Sequence, residues 1–132
     1  MFVRRSPAIV LSLALSAAAL ALAPWAQASD GGTVKDDDPC SAGSTNRLRV
    51  SLDDDGRLQV VGVVWSDDDD FWQWKFKHNG DVSAAGSVKA NDDTNRSFRI
   101  VRTMVDLAGT DGILFRAENQ RTGEVCRNYL DY

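Results

Sequence analysis

The sequence contains one histidine, two cysteines and only two glutamates, and these shortages exclude several kinds of functional site. Copper centres built into β-sandwiches need several histidine ligands, which a single histidine, His78, does not supply. The chain also has no Cys-x-x-Cys pair, phosphate-binding glycine-rich loop, dinucleotide fingerprint or Gly-x-Ser-x-Gly motif. We therefore expect a protein with no catalytic residue and no resident cofactor.

Two residues leave an enzymatic alternative open. His78 precedes Asn79-Gly80, where we expect an exposed turn residue rather than the base of a Ser/His/Asp triad. Glu118 is the strand-borne carboxylate suited to glycoside hydrolysis, which requires a second carboxylate about 5 to 9 Å away. No aspartate partner is evident on its predicted face, so we expect Glu118 to be a solvated surface residue.

Nearly all of the acidic residues are aspartates, because 17 of them accompany only Glu118 and Glu124. Aspartate favours turns, where its short carboxylate accepts hydrogen bonds from nearby backbone N–H groups, so the aspartate runs should mark loops. The run Asp67, Asp68, Asp69 and Asp70 is the candidate calcium site, since a divalent cation would relieve the repulsion among four neighbouring carboxylates. Solvated turn residues are the alternative.

The charge balance also bears on partners. A formal net charge of −4 argues against nucleic acid, because phosphate binding depends on clustered Lys and Arg. Four arginines nevertheless fall at outward positions of predicted strands, which predicts a basic outer surface with acidic loop tips. They are Arg47, Arg49, Arg99 and Arg116. Charge pairs across a solvated sheet surface are the alternative explanation.

Residues 1–28 carry the features of an export signal. Arg4 and Arg5 precede an uncharged apolar stretch over 8–23, and Ala26-Gln27-Ala28 supplies the small residues of a signal-peptidase site. Pro24 ends the stretch after 16 residues, short of the roughly 20 that span a bilayer. The sequence predicts a cleaved signal peptide, a secreted extracellular protein and no membrane insertion of the mature chain.

Cys40 and Cys126 are the two cysteines of the chain. In an oxidising compartment an even count predicts one intramolecular disulfide, with two buried free thiols as the alternative. The bridge would join the N-terminal lead-in to the last strand.

Short stretches with period-2 alternation lie between the aspartate runs, as is typical of β-strands. We expect a flexible lead-in over 29–45, followed by a single domain over 46–132. Asn79-Gly80 should form a hairpin turn, because both of its positions tolerate positive φ. The expected strands are 47–52, 57–65, 71–78, 82–89, 94–104, 113–118 and 124–130. Seven short strands predict an all-β, two-sheet sandwich.

The aromatic residues divide into two groups. Trp72, Trp74 and Phe76 share one face of their strand, so we expect them in the core rather than on a sugar-stacking platform. Trp65 and Phe71 flank the acidic run and are expected to be at least partly exposed. They are the candidate binding surface.

Three motifs follow one another between residues 46 and 130: a tryptophan strand with an Asn-Gly turn, a Phe-x-Ile pattern, and a run from an aspartate to a glycine. Their residues are Trp74, Lys75, Lys77, Asn79, Gly80, Phe98, Ile100, Asp111, Phe115, Ala117, Asn119 and Gly123. In this order and spacing they resemble the core-tryptophan strand and its hairpin, the fifth strand and the sixth strand of immunoglobulin-like domains. The resemblance implies a seven-stranded immunoglobulin-like sandwich.

The chain departs from that family at its usual intersheet disulfide. Phe115 stands where the sixth-strand cysteine would be, and Gly62 lies near the second-strand position. We hypothesise that the two face each other across the core, so that the large ring fills the space above a residue without a side chain.

Taken together, these features predict a monomeric, secreted, noncatalytic binding or interaction protein with an unknown protein or glycan partner. Two alternatives remain open. One is a secreted inhibitor of an extracellular hydrolase, and the other is a calcium- or carbohydrate-binding module.

Overall fold

The structure, a computed structural model, describes residues 32–91 and 97–132. The predicted signal peptide at 1–28 and the first residues of the strand predicted over 94–104 lie outside these ranges. The strands are β1 Thr33–Pro39, β2 Thr45–Leu52, β3 Leu58–Trp65, β4 Phe71–His78, β5 Asp81–Lys89, β6 Phe98–Met104, β7 Gly112–Asn119 and β8 Val125–Asp131.

The strands form two antiparallel sheets of four strands each. The first sheet has the order β1-β2-β3-β6 and the second has the order β5-β4-β7-β8. Apolar side chains from both sheets form one core, in which Trp72, Phe76, Phe115, Leu48 and Leu58 are fully buried. The predicted all-β, two-sheet architecture is confirmed.

Strand β4 shows how the sequence produces this arrangement. Trp72, Trp74 and Phe76 are 0%, 6% and 0% exposed, as the alternation predicted. Asn79 and Gly80 then adopt φ values of 48° and 89°, the left-handed conformations that let the chain reverse into β5. A buried aromatic face and a turn-forming dipeptide therefore determine the hairpin locally.

The described residues contain eight strands, so the prediction of seven is wrong. The additional strand is β1, which lies within the segment 29–45 predicted to be a flexible lead-in. It pairs with β2 along its whole length, and two buried amides also hold it. Asn46 Nδ2 donates to the Asp38 carbonyl at 3.1 Å, and Asn128 Nδ2 donates to the Asp36 carbonyl at 2.8 Å. Hydrogen bonds to its backbone hold β1 in place. Because such bonds do not require alternating apolar side chains, the sequence of β1 lacks the pattern by which the other strands were predicted.

The predicted disulfide between Cys40 and Cys126 is confirmed. It connects residues 86 apart and ties the β1–β2 turn to β8. Glu124, which is only 7% exposed, reinforces the same junction. Its carboxylate accepts hydrogen bonds from Ala42 N at 2.9 Å, Ser44 N at 3.0 Å and Ser44 Oγ at 2.7 Å. A loop of this length gives a crosslink worth about 4 to 5 kcal/mol in the chain-entropy account.

Phe115 and Gly62 lie against each other across the core, which confirms the predicted pairing. A Cβ atom built on Gly62 would lie 2.6 Å from Phe115 Cε2 and 2.8 Å from Phe115 Cζ. Gly62 belongs to β3 of the first sheet, whereas Phe115 belongs to β7 of the second and is 0% exposed. Phe76 packs beside the same ring, with 5.2 Å between ring centroids. The two sheets approach closely here because Gly62 has no side chain.

We expect Gly62→Ala to destabilise the protein by about 1 to 3 kcal/mol, because the added methyl overpacks a rigid part of the core. Thermal unfolding should show a loss of several degrees in Tm. Adding Phe115→Leu should recover part of that loss, because a smaller side chain makes room for the methyl. An unchanged Tm for Gly62→Ala, or strictly additive losses in the double variant, would contradict this account.

Candidate functional site

The candidate site is the outer face of the second sheet. Side chains alternate between the two faces of a strand, so the inward Trp72 and Trp74 force their neighbours Gln73 and Lys75 to point outward. The same rule places Arg116 outward in β7, between the buried Phe115 and Ala117.

Strand register places three cations side by side on this face. Lys75 in β4 pairs with Arg116 in β7, and Arg116 pairs with Arg127 in β8. We call Lys75, Arg116 and Arg127 the cationic row. Neighbouring strands lie about 4.8 Å apart, so the three residues are spread over about 10 Å.

The protein neutralises only part of this charge. Arg116 Nη1 lies 3.1 Å from Glu118 Oε2. Within the ranges that the structure describes, Lys75 and Arg127 form no ion pair. Like charges directly opposite each other destabilise a sheet, so folding stability does not explain the cationic row.

An open groove of about 430 Å³ lies beside the cationic row. Its polar lining comes from Gln73, Lys75, Ser87 and Arg116, and Ala85 contributes an apolar surface. A groove with neutral hydrogen-bonding groups, cations and little side-chain bulk suits a polar, negatively charged ligand.

Exposed apolar side chains share the same face. Five large hydrophobic residues are exposed in the described structure, and Phe71, Val82 and Tyr129 are three of them, at 60%, 59% and 52%. All three lie at outward positions of β4, β5 and β8. The other two, Val105 and Leu107, lie in the connection between β6 and β7. Aromatic residues and arginine are the types enriched in binding interfaces.

The acidic run Asp67 to Asp70 is partly occupied by protein partners. Asp68 Oδ1 accepts hydrogen bonds from Asp70 N and Trp72 Nε1, both at 3.0 Å. Asp70 is bound at 2.8 Å by two nitrogens of Arg121 and at 3.0 Å by Asn119 Nδ2. These hydrogen bonds, that of Arg121 above all, lower the pKa of Asp70.

The calcium prediction for Asp67, Asp68, Asp69 and Asp70 stays a prediction. Across 32–91 and 97–132, no group of three or more His, Cys, Asp or Glu side chains is arranged to hold a metal ion. Asp68 and Asp70 instead connect the loop to the core tryptophan and to the β7–β8 turn.

The structure does not bring Trp65 and Phe71 together as one binding surface. Trp65 lies at an outward position of the first sheet, next to the inward Val64, whereas Phe71 lies at an outward position of the second sheet. The Arg47 guanidinium stacks over the Trp65 ring at 5.3 Å from its centroid. Only Phe71 therefore belongs to the candidate face.

His78 is not the exposed turn residue that the sequence predicted, because its side chain is only 12% exposed. Its Nε2 is hydrogen-bonded at 2.5 Å to Oδ1 of Asp111, whose side chain is 1% exposed. Burial of Asp111 draws the imidazole inward, since a buried carboxylate needs a polar partner. The sequence indicated this burial only through Asp111, the residue immediately before β7.

Asp106 lies in the β6–β7 connection and interacts electrostatically with the same buried carboxylate. Its hydrogen bond to Asp111, aided by desolvation and by repulsion between the two carboxylates, raises the pKa of Asp106.

Glu118 is a partner of Arg116 on the candidate face, as described above. The sequence predicts that Arg116 points outward, but it does not predict the cationic row. Lys75, Arg116 and Arg127 come from three strands, and only their register shows that they are neighbours.

No protein-family model matches this chain, and neither does any curated protein or any solved structure. In the part of the chain that the structure describes, no helix has the length and apolar character needed to cross a membrane.

We expect Asp106→Asn to raise Tm at pH 7 and to leave it nearly unchanged at pH 3. The raised pKa of Asp106 means that its contact with Asp111 stabilises the fold at low pH and is lost as pH rises through that pKa. An asparagine amide donates to Asp111 at any pH. Asp54→Asn in an exposed turn removes the same charge and serves as the control for melting curves between pH 3 and 8. Parallel pH profiles for Asp106→Asn and the wild type would contradict the assignment.

Proposed function

We propose that this chain is a secreted, noncatalytic binding module with an immunoglobulin-like fold, whose binding face is the outer surface of the second sheet. The observation that carries the proposal is the coincidence on that face of exposed aromatic residues, an open groove and the cationic row. The export signal at 1–28 supports a partner outside the cytoplasm.

The strand order supports the immunoglobulin-like assignment. If β2 is taken as the first strand of that fold, then β3 and β6 are its second and fifth, and they pair within one sheet. The third, sixth and seventh strands, β4, β7 and β8, lie together in the other sheet. These strands divide as in immunoglobulin sandwiches, in which strands B and E face strands C, F and G. The fourth strand, β5, departs from the seven-stranded scheme because it pairs with β4 in the second sheet instead of joining A, B and E.

The contact between Gly62 and Phe115 joins the second and sixth strands of that scheme. These are the strands that the intersheet disulfide of antibody domains connects. A glycine–ring contact in its place accounts for a fold that keeps the sandwich and places its single disulfide between Cys40 and Cys126 instead.

The first sheet is a weaker candidate for the binding face. Its outer surface also carries arginines, but Val63 separates Arg47 from Arg99, and Asp37 neutralises Arg47. None of the exposed large hydrophobic residues lies on this surface. A partner would therefore meet less apolar area and less continuous charge there.

One observation favours a secreted inhibitor as the second candidate. Val105 and Leu107 are 63% and 46% exposed in a connection that the buried Asp111 anchors, and Leu107 N donates to Asp111 Oδ1 at 3.3 Å. A loop that the protein already holds in one conformation loses less entropy when it binds, which suits a segment that an inhibitor presents to a hydrolase.

Site-directed photo-crosslinking distinguishes the two candidates. We expect p-benzoylphenylalanine placed at Gln73 to capture a partner from the medium of the cells that produce this protein. The same group at Gln59, which is also exposed and lies on the outer face of the first sheet, should capture none. A crosslink at Leu107 alone, formed with a hydrolase, would favour the inhibitor. Equal yields at Gln59 and Gln73 would refute the proposed face.

A further inference from the structure

We propose that the ligand of this face is an acidic polysaccharide whose carboxylate or sulfate groups are held by Lys75, Arg116 and Arg127. The inference rests on the proposed function, since it names the ligand class of the same face. It starts from the juxtaposition of three cations in one line across three strands.

The cationic row is unexpected in an acidic protein, because acidic residues could have separated its three cations. The chain has more acidic than basic residues, with a net charge of −4, yet no acid stands between Lys75 and Arg116 or between Arg116 and Arg127. Opposed like charges on a sheet reduce stability. A local arrangement that lowers stability without a compensating contact is expected to be functional. An anion bound across the row would remove the repulsion among the three cations.

The positions on either side of the row match the other parts of a sugar. One side presents Gln73 and Ser87, which pair with each other across β4 and β5 and can exchange hydrogen bonds with hydroxyl groups. Glu118 pairs with Gln73 on the same side, and its carboxylate is engaged by Arg116 at 3.1 Å. On the other side Tyr129 and Val82, both more than half exposed, offer apolar area to the C–H face of a sugar ring. Anionic, hydroxyl-bearing and apolar groups repeat together along an acidic polysaccharide.

Nucleic acid fits this face less well. Binding to nucleic acid grows with the number of phosphates neutralised, and three cations in a chain of net charge −4 neutralise few of them. Acidic loop residues, such as Asp67 and Asp69 in the β3–β4 connection, would also repel a long phosphate backbone at low salt. A polymer whose charges are spaced by uncharged groups does not need a larger basic area.

The test measures binding of the full secreted chain to polygalacturonate and to dextran sulfate at 50 mM salt. Fully methyl-esterified polygalacturonate and unmodified dextran are the uncharged controls. We expect binding to at least one charged polymer and none to its control, with Lys75→Gln and Arg127→Gln each weakening it about three- to tenfold, as for loss of one exposed charged contact. The matched variants Arg49→Gln and Arg99→Gln remove the same charge from the first sheet and should leave affinity unchanged.

Thermal unfolding in the absence of polymer separates loss of binding from loss of fold. Because Lys75→Gln and Arg127→Gln relieve repulsion, their Tm values at low salt should equal or exceed that of the wild type. Lower Tm values would mean that the row stabilises the fold, which overturns the argument from unrelieved charge.

The remaining outcomes are equally decisive. Equal affinity for charged and uncharged polymers, equal losses in the first-sheet variants, or equally tight binding of single-stranded DNA would each overturn the acidic polysaccharide. If both charged polymers fail to bind while crosslinking at Gln73 still captures a protein, the ligand class is wrong and the proposed face stands. If crosslinking at Gln73 also fails, the proposed function falls as well.

Discussion

The close approach of the two sheets at Gly62 and Phe115 is the constraint on which the other features depend. With the Phe115 ring and the aromatic residues of β4 committed to the core, the period of two along a strand leaves no freedom for their neighbours. Lys75 and Arg116 must point outward, and the pairing of β4 with β7 sets them opposite each other. Packing inside the sandwich thus determines the charge pattern outside it.

A second constraint closes the edge where β1 and β8 meet. The side-chain amides of Asn46 and Asn128 donate hydrogen bonds to carbonyl oxygens of β1, and Glu124 binds the turn that follows β1. These contacts are polar, directional and local to one edge. The disulfide at Cys40 is therefore one part of a larger junction between the chain's N-terminal strand and its C-terminal strand.

How much the sequence predicts depends on the kind of interaction. The β4 alternation and the Asn79-Gly80 turn were predictable from local periodicity and turn chemistry. The disulfide was predictable from the even number of cysteines, and the Gly62–Phe115 contact from the resemblance to immunoglobulin-like domains. Strand β1 and the burial of His78 were not predictable. Pairing with β2 and the buried amides of Asn46 and Asn128 hold β1 through its backbone, and His78 depends on one contact with Asp111, 33 residues away. The cationic row required the register of three strands, which no single segment contains.

Many acidic residues of this molecule lie in turns and many basic residues lie on the sheet faces, a separation that the net charge of −4 does not show. Several aspartates act within turns: Asp53 accepts from two backbone N–H groups, and Asp68 and Asp70 fasten loops to Trp72 and Arg121. Their charge is committed to the fold. The cations of the sheet faces have fewer partners, so they remain available to a ligand. The outer face of the second sheet, with Lys75, Arg116 and Arg127 side by side, therefore carries local positive charge on a protein whose net charge is negative.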